Sequence, residues 1–229
     1  RIIDNSTPRR VIIVGSFRWI MKQENLTSFI ELADPIFKQR RIELDIVGDV
    51  PDDLLRTLQD QCQATHFHGF VDDTAPFLAQ ARLAVVPEVI GGGFKLKFLD
   101  YIFARTPVAT LSQAAAGLPE AIRCATLARA DLESLIEAIV NHIDRFDVLN
   151  RMQAEAFTAG EAWFKWEDRG LQLQQAISRL QHEQQHVLQH PGISPAHPGA
   201  LSLHAPRAHD AVETRLFARL GAERFHCGV

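Results

Sequence analysis

The stretch Val85-Val-Pro-Glu-Val-Ile-Gly-Gly-Gly-Phe-Lys-Leu-Lys-Phe-Leu-Asp-Tyr-Ile-Phe-Ala-Arg-Thr-Pro-Val108 decides how the whole chain is read. An apolar run from Leu83 to Val86 breaks at Pro87 and passes through three consecutive glycines. It takes helical spacing from about Phe94 and becomes extended and apolar again after Pro107. The order is strand, glycine turn, helix, strand. Such a junction suits an anion, because glycines admit a ligand close to backbone N–H groups and a helix start leaves donors unpaired. Lys95 and Lys97 add full charges there. A helix from Phe94, turning about 100° per residue, puts Phe94, Leu96, Phe98, Leu99, Ile102 and Phe103 on one arc and Lys97, Asp100 and Tyr101 on the opposite one. A lysine and a carboxylate one turn apart suit a phosphate and a sugar hydroxyl. A solvated helix face behind a flexible turn fits the same spacing.

Upstream, Val11-Ile-Ile-Val14 reads as a strand buried on both faces, followed by a loop from Gly15 to Lys22 that carries Ser16, Arg18 and Trp19. Open α/β sheets place ligands at such strand ends, although surface cations beside a packing tryptophan are an equal alternative. Leu26, Phe29, Ile30 and Ala33 space a helix over about 23–33, with Asp34-Pro35 as its break. Ile42 to Val47 is the next strand, closed by Gly48-Asp49. Pro51 then opens a helix to about Cys62, and the dipole at its start accounts for Asp52 and Asp53. His66-Phe67-His68 is a short strand; no third ligand lies near the two histidines, so packing and surface positions are expected of them, not a metal. Asp73-Thr74 caps a helix through Ala81.

Downstream, Ala114 to Pro119 is a small-residue loop, Leu127-Ala128 a weak strand, and Asp131 the cap of a helix to about Asp144. Further helices are expected at Val148 to Phe157 and, beyond Gly160, from about Trp166 to His186. The alternation predicts an α/β fold with a doubly wound parallel sheet. Three segments follow: a lead-in at 1–9, a Rossmann-like domain at 10–184, and a low-order tail at 185–229, rich in His, Pro and Ala, with a short helix near 210–220. Seven of the ten histidines lie at or beyond His182, and irregular spacing argues for a mobile extension over a metal site.

With 229 residues, 46% hydrophobic content and a net charge of −4, the composition is that of an ordinary soluble globular protein. It has no basic run that suggests nucleic acid and no apolar stretch of membrane-spanning length. Cys62, Cys124 and Cys227 are odd in number and far apart, which argues against a disulfide framework and favours a reducing cytosol. Asn5 and Asn25 begin glycosylation triplets, read as chance matches since no signal peptide precedes them. The start at Arg1 suggests a fragment lacking an N-terminal part.

Taken together, these motifs resemble the C-terminal, nucleotide-sugar-binding half of a GT-B-fold glycosyltransferase of the retaining family 4 type, the glycosyl transferases group 1. Val14-Gly15-Ser-Phe-Arg18 with Lys22 is similar to that family's opening strand, glycine turn and basic pair. Ile46-Val47-Gly48 resembles its second strand, Phe67-His-Gly69-Phe-Val71 its base-side turn, and Gly92 to Asp100 followed by Pro107-Val108 its donor loop and helix. Phe164-Lys-Trp166 looks like its closing motif. The resemblance covers about residues 10–182. The family's two glutamates, separated by seven residues, are replaced here by Gly92 and Asp100; Glu88 is a candidate to take over the missing sugar contact.

The resemblance implies roles. Arg18, Lys22 and Lys97, with amides from Gly92, Gly93 and Phe94 and with Lys95, would neutralise a diphosphate leaving group, without a metal or further cofactor. Asp100 would hold ribose, Phe70 and Val71 would meet the base, and Gly15 and Ser16 would line the phosphate turn. The implied partners are a nucleotide-sugar donor, a saccharide or a lipid or small-molecule acceptor, and a missing N-terminal domain. Nucleic acid is not among them, and peripheral membrane association, not visible in the sequence, stays open. The implied location is cytoplasmic. An epimerase of the same fold and a non-catalytic sugar-nucleotide-binding or regulatory domain remain as alternatives. A receiver-like module would place clustered carboxylates where Arg18 and Lys22 stand.

Overall fold

Four apolar runs of four to five residues become the inner strands of a parallel sheet, with helices between them. The computed structural model describes residues 1–90, 93–165 and scattered positions from 170 to 178. All elements below lie in the compact unit Arg1–Phe164. In chain order they are β1 (Arg10–Val14), α1 (Ile20–Arg40), β2 (Glu43–Val47), α2 (Asp52–Gln61), β3 (Thr65–Gly69), α3 (Ala75–Gln80), β4 (Leu83–Val86), α4 (Lys97–Phe103), β5 (Val108–Leu111), α5 (Glu120–Cys124), β6 (Leu127–Arg129), α6 (Leu132–His142) and α7 (Phe146–Trp163). The strand order is β3-β2-β1-β4-β5-β6, with every pairing parallel. This is the doubly wound sheet expected. The central strands bury both faces, so Val11, Ile12 and Ile13 of β1 and all of β4 and β5 lie in the core.

Crossovers leave β1 in one direction and β4 in the other, so a crevice opens beyond their C-terminal ends. Around it the loops are stitched together by backbone bonds. Gly15 N–H donates to Val47 O (3.0 Å), Phe17 N–H to Asp49 O (2.8 Å) and Gly48 N–H to Gly69 O (2.8 Å). Gly48 adopts φ 131°, and a Cβ on it would fall 1.8 Å from the Gly15 carbonyl oxygen. No other residue type fits there.

Several helix boundaries differ from the sequence expectation. Pro35 does not end α1, which runs through it to Arg40. The bond lost to proline is that of the Glu31 carbonyl, on an exposed turn that water reaches. The neighbouring Asp34 side chain holds this turn in place, accepting from Gln63 N–H (2.9 Å), Ala64 N–H (2.9 Å) and the Thr65 hydroxyl (2.7 Å). Gly160 likewise does not interrupt α7. It is buried where α7 crosses α4, and a Cβ on it would meet Ile102 Cγ2 at 2.8 Å, so it serves close helix packing. The short helix α5 falls in a segment read only as loop and weak strand. Asp131 caps α6 as expected, its side chain accepting from Ser134 N–H at 2.8 Å.

The segment 1–9, expected to be a polar lead-in, is packed. Ile3 is buried and exchanges two hydrogen bonds with the Asn150 side chain, and Arg1 reaches the Leu78 and Ala81 carbonyls and the Thr106 hydroxyl. Cys62 is a free thiol. The expected helix from Trp166 and the tail from 185 lie outside the described residues, apart from a few helical positions between 170 and 178.

Helix α4 starts at Lys97, not Phe94, and its inward face is Phe98, Tyr101 and Ile102, spaced three and four apart. Tyr101, expected on the solvent arc, is fully buried, and Leu96 is the exposed one, at 72%. The tyrosine is accommodated because Val14 N–H donates to its hydroxyl at 2.8 Å. Burial pushes this phenol well above the ordinary tyrosine range, so the native state keeps a proton that the unfolded chain loses near pH 10. The associated stability is present below about pH 10 and falls as pH rises further. Tyr101 is the only tyrosine, so an absorbance titration at 295 nm reads it alone. No phenolate should appear at pH 11 until the protein unfolds; reversible ionisation near pH 10 with the fold intact would contradict this assignment.

Candidate functional site

The crevice is walled by the loops after β1 and β4, and its floor is Ile13, Phe17 and Leu26. Lys22 sits in the first turn of the 21-residue helix α1, a turn without any acidic residue. Helix starts ordinarily favour acids, so a lysine there raises the positive potential already supplied by unpaired N–H groups. Opposite, Lys97 of α4 extends its Nζ over the β1 turn, 3.4 Å from where a Cβ on Gly15 would stand. Burial pushes the Lys97 ammonium below the ordinary lysine range, a shift opposed by Glu88 and reinforced by Lys22 and Lys95.

Glu88, only 7% exposed, answers this charge. Its Oε1 lies 2.7 Å from Lys97 Nζ and its Oε2 3.6 Å from Lys95 Nζ. Gly15, Lys22, Glu88, Lys95 and Lys97 are therefore brought together. Arg18 is not: its exposed guanidinium pairs with Asp49 of the loop after β2. Ser16 is exposed beside Gly15, and Phe70 stands 77% exposed in the loop after β3, with Val71 packed against the core edge. Asp100 lies on the outer face of α4, and partial burial raises its carboxyl. Gly93 adopts φ 76°, and Phe94 stacks on Phe164, ring centroids 5.8 Å apart. Gly92 lies outside the described residues.

The loop after β4 has an anchor that sequence reasoning passed over. Asn25, buried within α1, accepts from Val89 N–H (2.9 Å) and Ile90 N–H (3.0 Å) and donates to Ile90 O (2.9 Å). A buried asparagine beside a core-facing leucine was the available signal, obscured by the glycosylation triplet it happens to begin. Its burial leaves no room for a glycan. His66 and His68 stand on one side of β3, where His68 bonds Asp45 at 2.8 Å and packs on Phe77. Among the described residues no cluster of three His, Cys, Asp or Glu could hold a metal, and no helix is long and apolar enough to cross a membrane.

A parallel sheet of order 3-2-1-4-5-6 with a basic, glycine-lined crevice at the β1/β4 switch defines a Rossmann-like domain. Residues 8–145, more than half the chain, match the family model of the glycosyl transferases group 1, and the chain belongs to that family. No curated protein matches it. Solved structures of GT-B glycosyltransferases share the fold. HepE of Anabaena, in complex with UDP and glucose, superposes with a TM-score of 0.61 at 16% identity, over 76% of this chain and 49% of that one. TarM of S. aureus, in a complex that contains UDP, gives 0.59 at 15%, over 71% and 34%. Sucrose-phosphate synthase of Thermosynechococcus elongatus gives 0.57 at 20%, over 79% and 47%. The chain thus spans between about a third and a half of these structures.

Replacing Asn25 with alanine leaves the Val89 and Ile90 amides without their partner, at a cost of about 2 kcal/mol. Urea denaturation of Asn25→Ala should show a lower midpoint, and an unchanged midpoint would remove Asn25 as the anchor.

Proposed function

We propose that this domain is the C-terminal, donor-binding half of a family 4-like GT-B glycosyltransferase, holding the diphosphate of a nucleotide sugar in the β1/β4 crevice. One observation carries the reading: the buried Lys97 ammonium lies directly over the Gly15 turn, facing the start of α1 and Lys22. Backbone N–H groups and two lysines around one crevice match the charge a departing nucleoside diphosphate develops, and preorganised donors of that kind each contribute about 3 kcal/mol. Lys97 and Lys22 would bind the phosphates together with the Gly15 and Ser16 turn and the loop of Gly92, Gly93, Phe94 and Lys95. Arg18 would join once it leaves Asp49, and no metal would be needed. Asp100, on the outer face of α4, would take ribose hydroxyls, and exposed Phe70, with Val71, would meet the base.

UDP in the HepE and TarM complexes favours a uridine donor. Transfer to a saccharide or a lipid or small-molecule acceptor would require a second domain, since GT-B enzymes build their cleft between two. A cytoplasmic location goes with such a donor.

Calorimetric titration of the chain with UDP, GDP and UDP-sugars tests the site. Lys97→Ala should weaken UDP binding by about a hundredfold, a loss of about 2.7 kcal/mol, and Asp100→Ala by a smaller factor. Wild-type affinity in Lys97→Ala would overturn the placement of the phosphates.

A further inference from the structure

Lys97, the cation most favourably placed for a phosphate, is already paired. Glu88 is 7% exposed and its two oxygens face Lys97 Nζ at 2.7 Å and Lys95 Nζ at 3.6 Å. The side chain that sequence reasoning offered in place of the family's missing glutamate therefore has both oxygens turned to lysines. Its backbone belongs to the loop directly after β4, whose next two residues are pinned by Asn25, so the carboxylate is held at the crevice by the fold. A phosphate oxygen and a Glu88 oxygen compete for the same Lys97 protons.

We infer that Glu88 is an internal counter-anion of the phosphate site, which occupies Lys97 in the empty domain and must give it up when a diphosphate binds. The inference deepens the donor-site reading and rests on it. Two consequences separate this role from a direct sugar contact. A buried ammonium without a counter-ion is costly, so the pair keeps Lys97 charged and in place while the site is empty. The same pair opposes entry of weak anions: a ligand with one or two charges gains little by displacing a carboxylate, whereas a diphosphate brings enough charge to engage Lys97, Lys22 and the helix start at once. Glu88 is thus a specificity-determining residue that sets a charge threshold for occupancy.

The test uses Glu88→Gln, close in shape and neutral, with inorganic pyrophosphate and UDP as probes in calorimetry at constant ionic strength. Without ligand the variant should melt lower than wild type, because Lys97 loses its partner. Its affinity for pyrophosphate should nonetheless rise by about tenfold, with a larger gain for sulfate, which the wild type should bind poorly. A double variant, Glu88→Gln with Lys97→Ala, should bind no better than Lys97→Ala alone, since the gain passes through the lysine. A merely structural glutamate would lower affinity together with stability. Equal or weaker pyrophosphate binding in Glu88→Gln, with wild type binding UDP normally, overturns the inference and leaves the donor site standing. Failure of wild type and Glu88→Gln alike to bind either probe, both being folded, overturns the donor site and the inference with it.

Discussion

The site depends on how the end of β1 is held. Val14 N–H donates to the buried Tyr101 hydroxyl, and Gly15 N–H donates to the Val47 carbonyl. A strand end is where backbone groups fall out of the sheet ladder, and an unpaired one inside the protein costs about as much as a lost hydrogen bond. With these groups satisfied from α4 on one side and β2 on the other, the turn that follows is tied at its start. Because Tyr101 lies on the helix that carries Lys97, the bond that ends β1 also sets the lysine over the turn. Position and charge share one element.

Electrostatics at the crevice follow from that geometry. Lys22 and Lys97 converge on a region already positive from the start of α1, and one carboxylate, Glu88, lies among them. Arg18 faces Asp49 instead, one loop further along the sheet. The arrangement is a basic site whose cations are held by acids in reserve. Folding alone would not favour so many like charges at low solvent exposure.

The inner strands were readable from the sequence because each is a short apolar run bounded by glycine or proline: Val11 to Val14, Ile42 to Val47, Leu83 to Val86 and Val108 onward. Local rules also placed the Asp131 cap and the start of α2 after Pro51. They failed where tertiary contacts decide. Pro35 stays inside α1 because an exposed carbonyl tolerates the lost bond and Asp34 ties the turn to β3, and Gly160 stays inside α7 because Ile102 needs the space. Tyr101 is inside because a backbone N–H from β1, 87 residues earlier, awaits its hydroxyl. At the site, the residue types were legible but the pairings were not. Nothing in the spacing joins Arg18 to Asp49, Glu88 to Lys97 or Asn25 to the loop after β4: the first and last join segments that the sheet brings side by side, and the second is closed by the course of the glycine turn between its partners.

The contact between Gly15 and Gly48 constrains how this protein can vary. With only 1.8 Å between a would-be Cβ on Gly48 and the Gly15 carbonyl oxygen, Gly48 cannot take a side chain while the Gly15 turn keeps its course. A lineage could lose Gly48 only by moving both strand ends, which would also carry away the turn beneath Lys97. What is allowed at position 48 is therefore set by a loop 33 residues earlier in sequence, and divergence in this part of the domain is channelled into the exposed neighbours Ser16, Arg18 and Trp19.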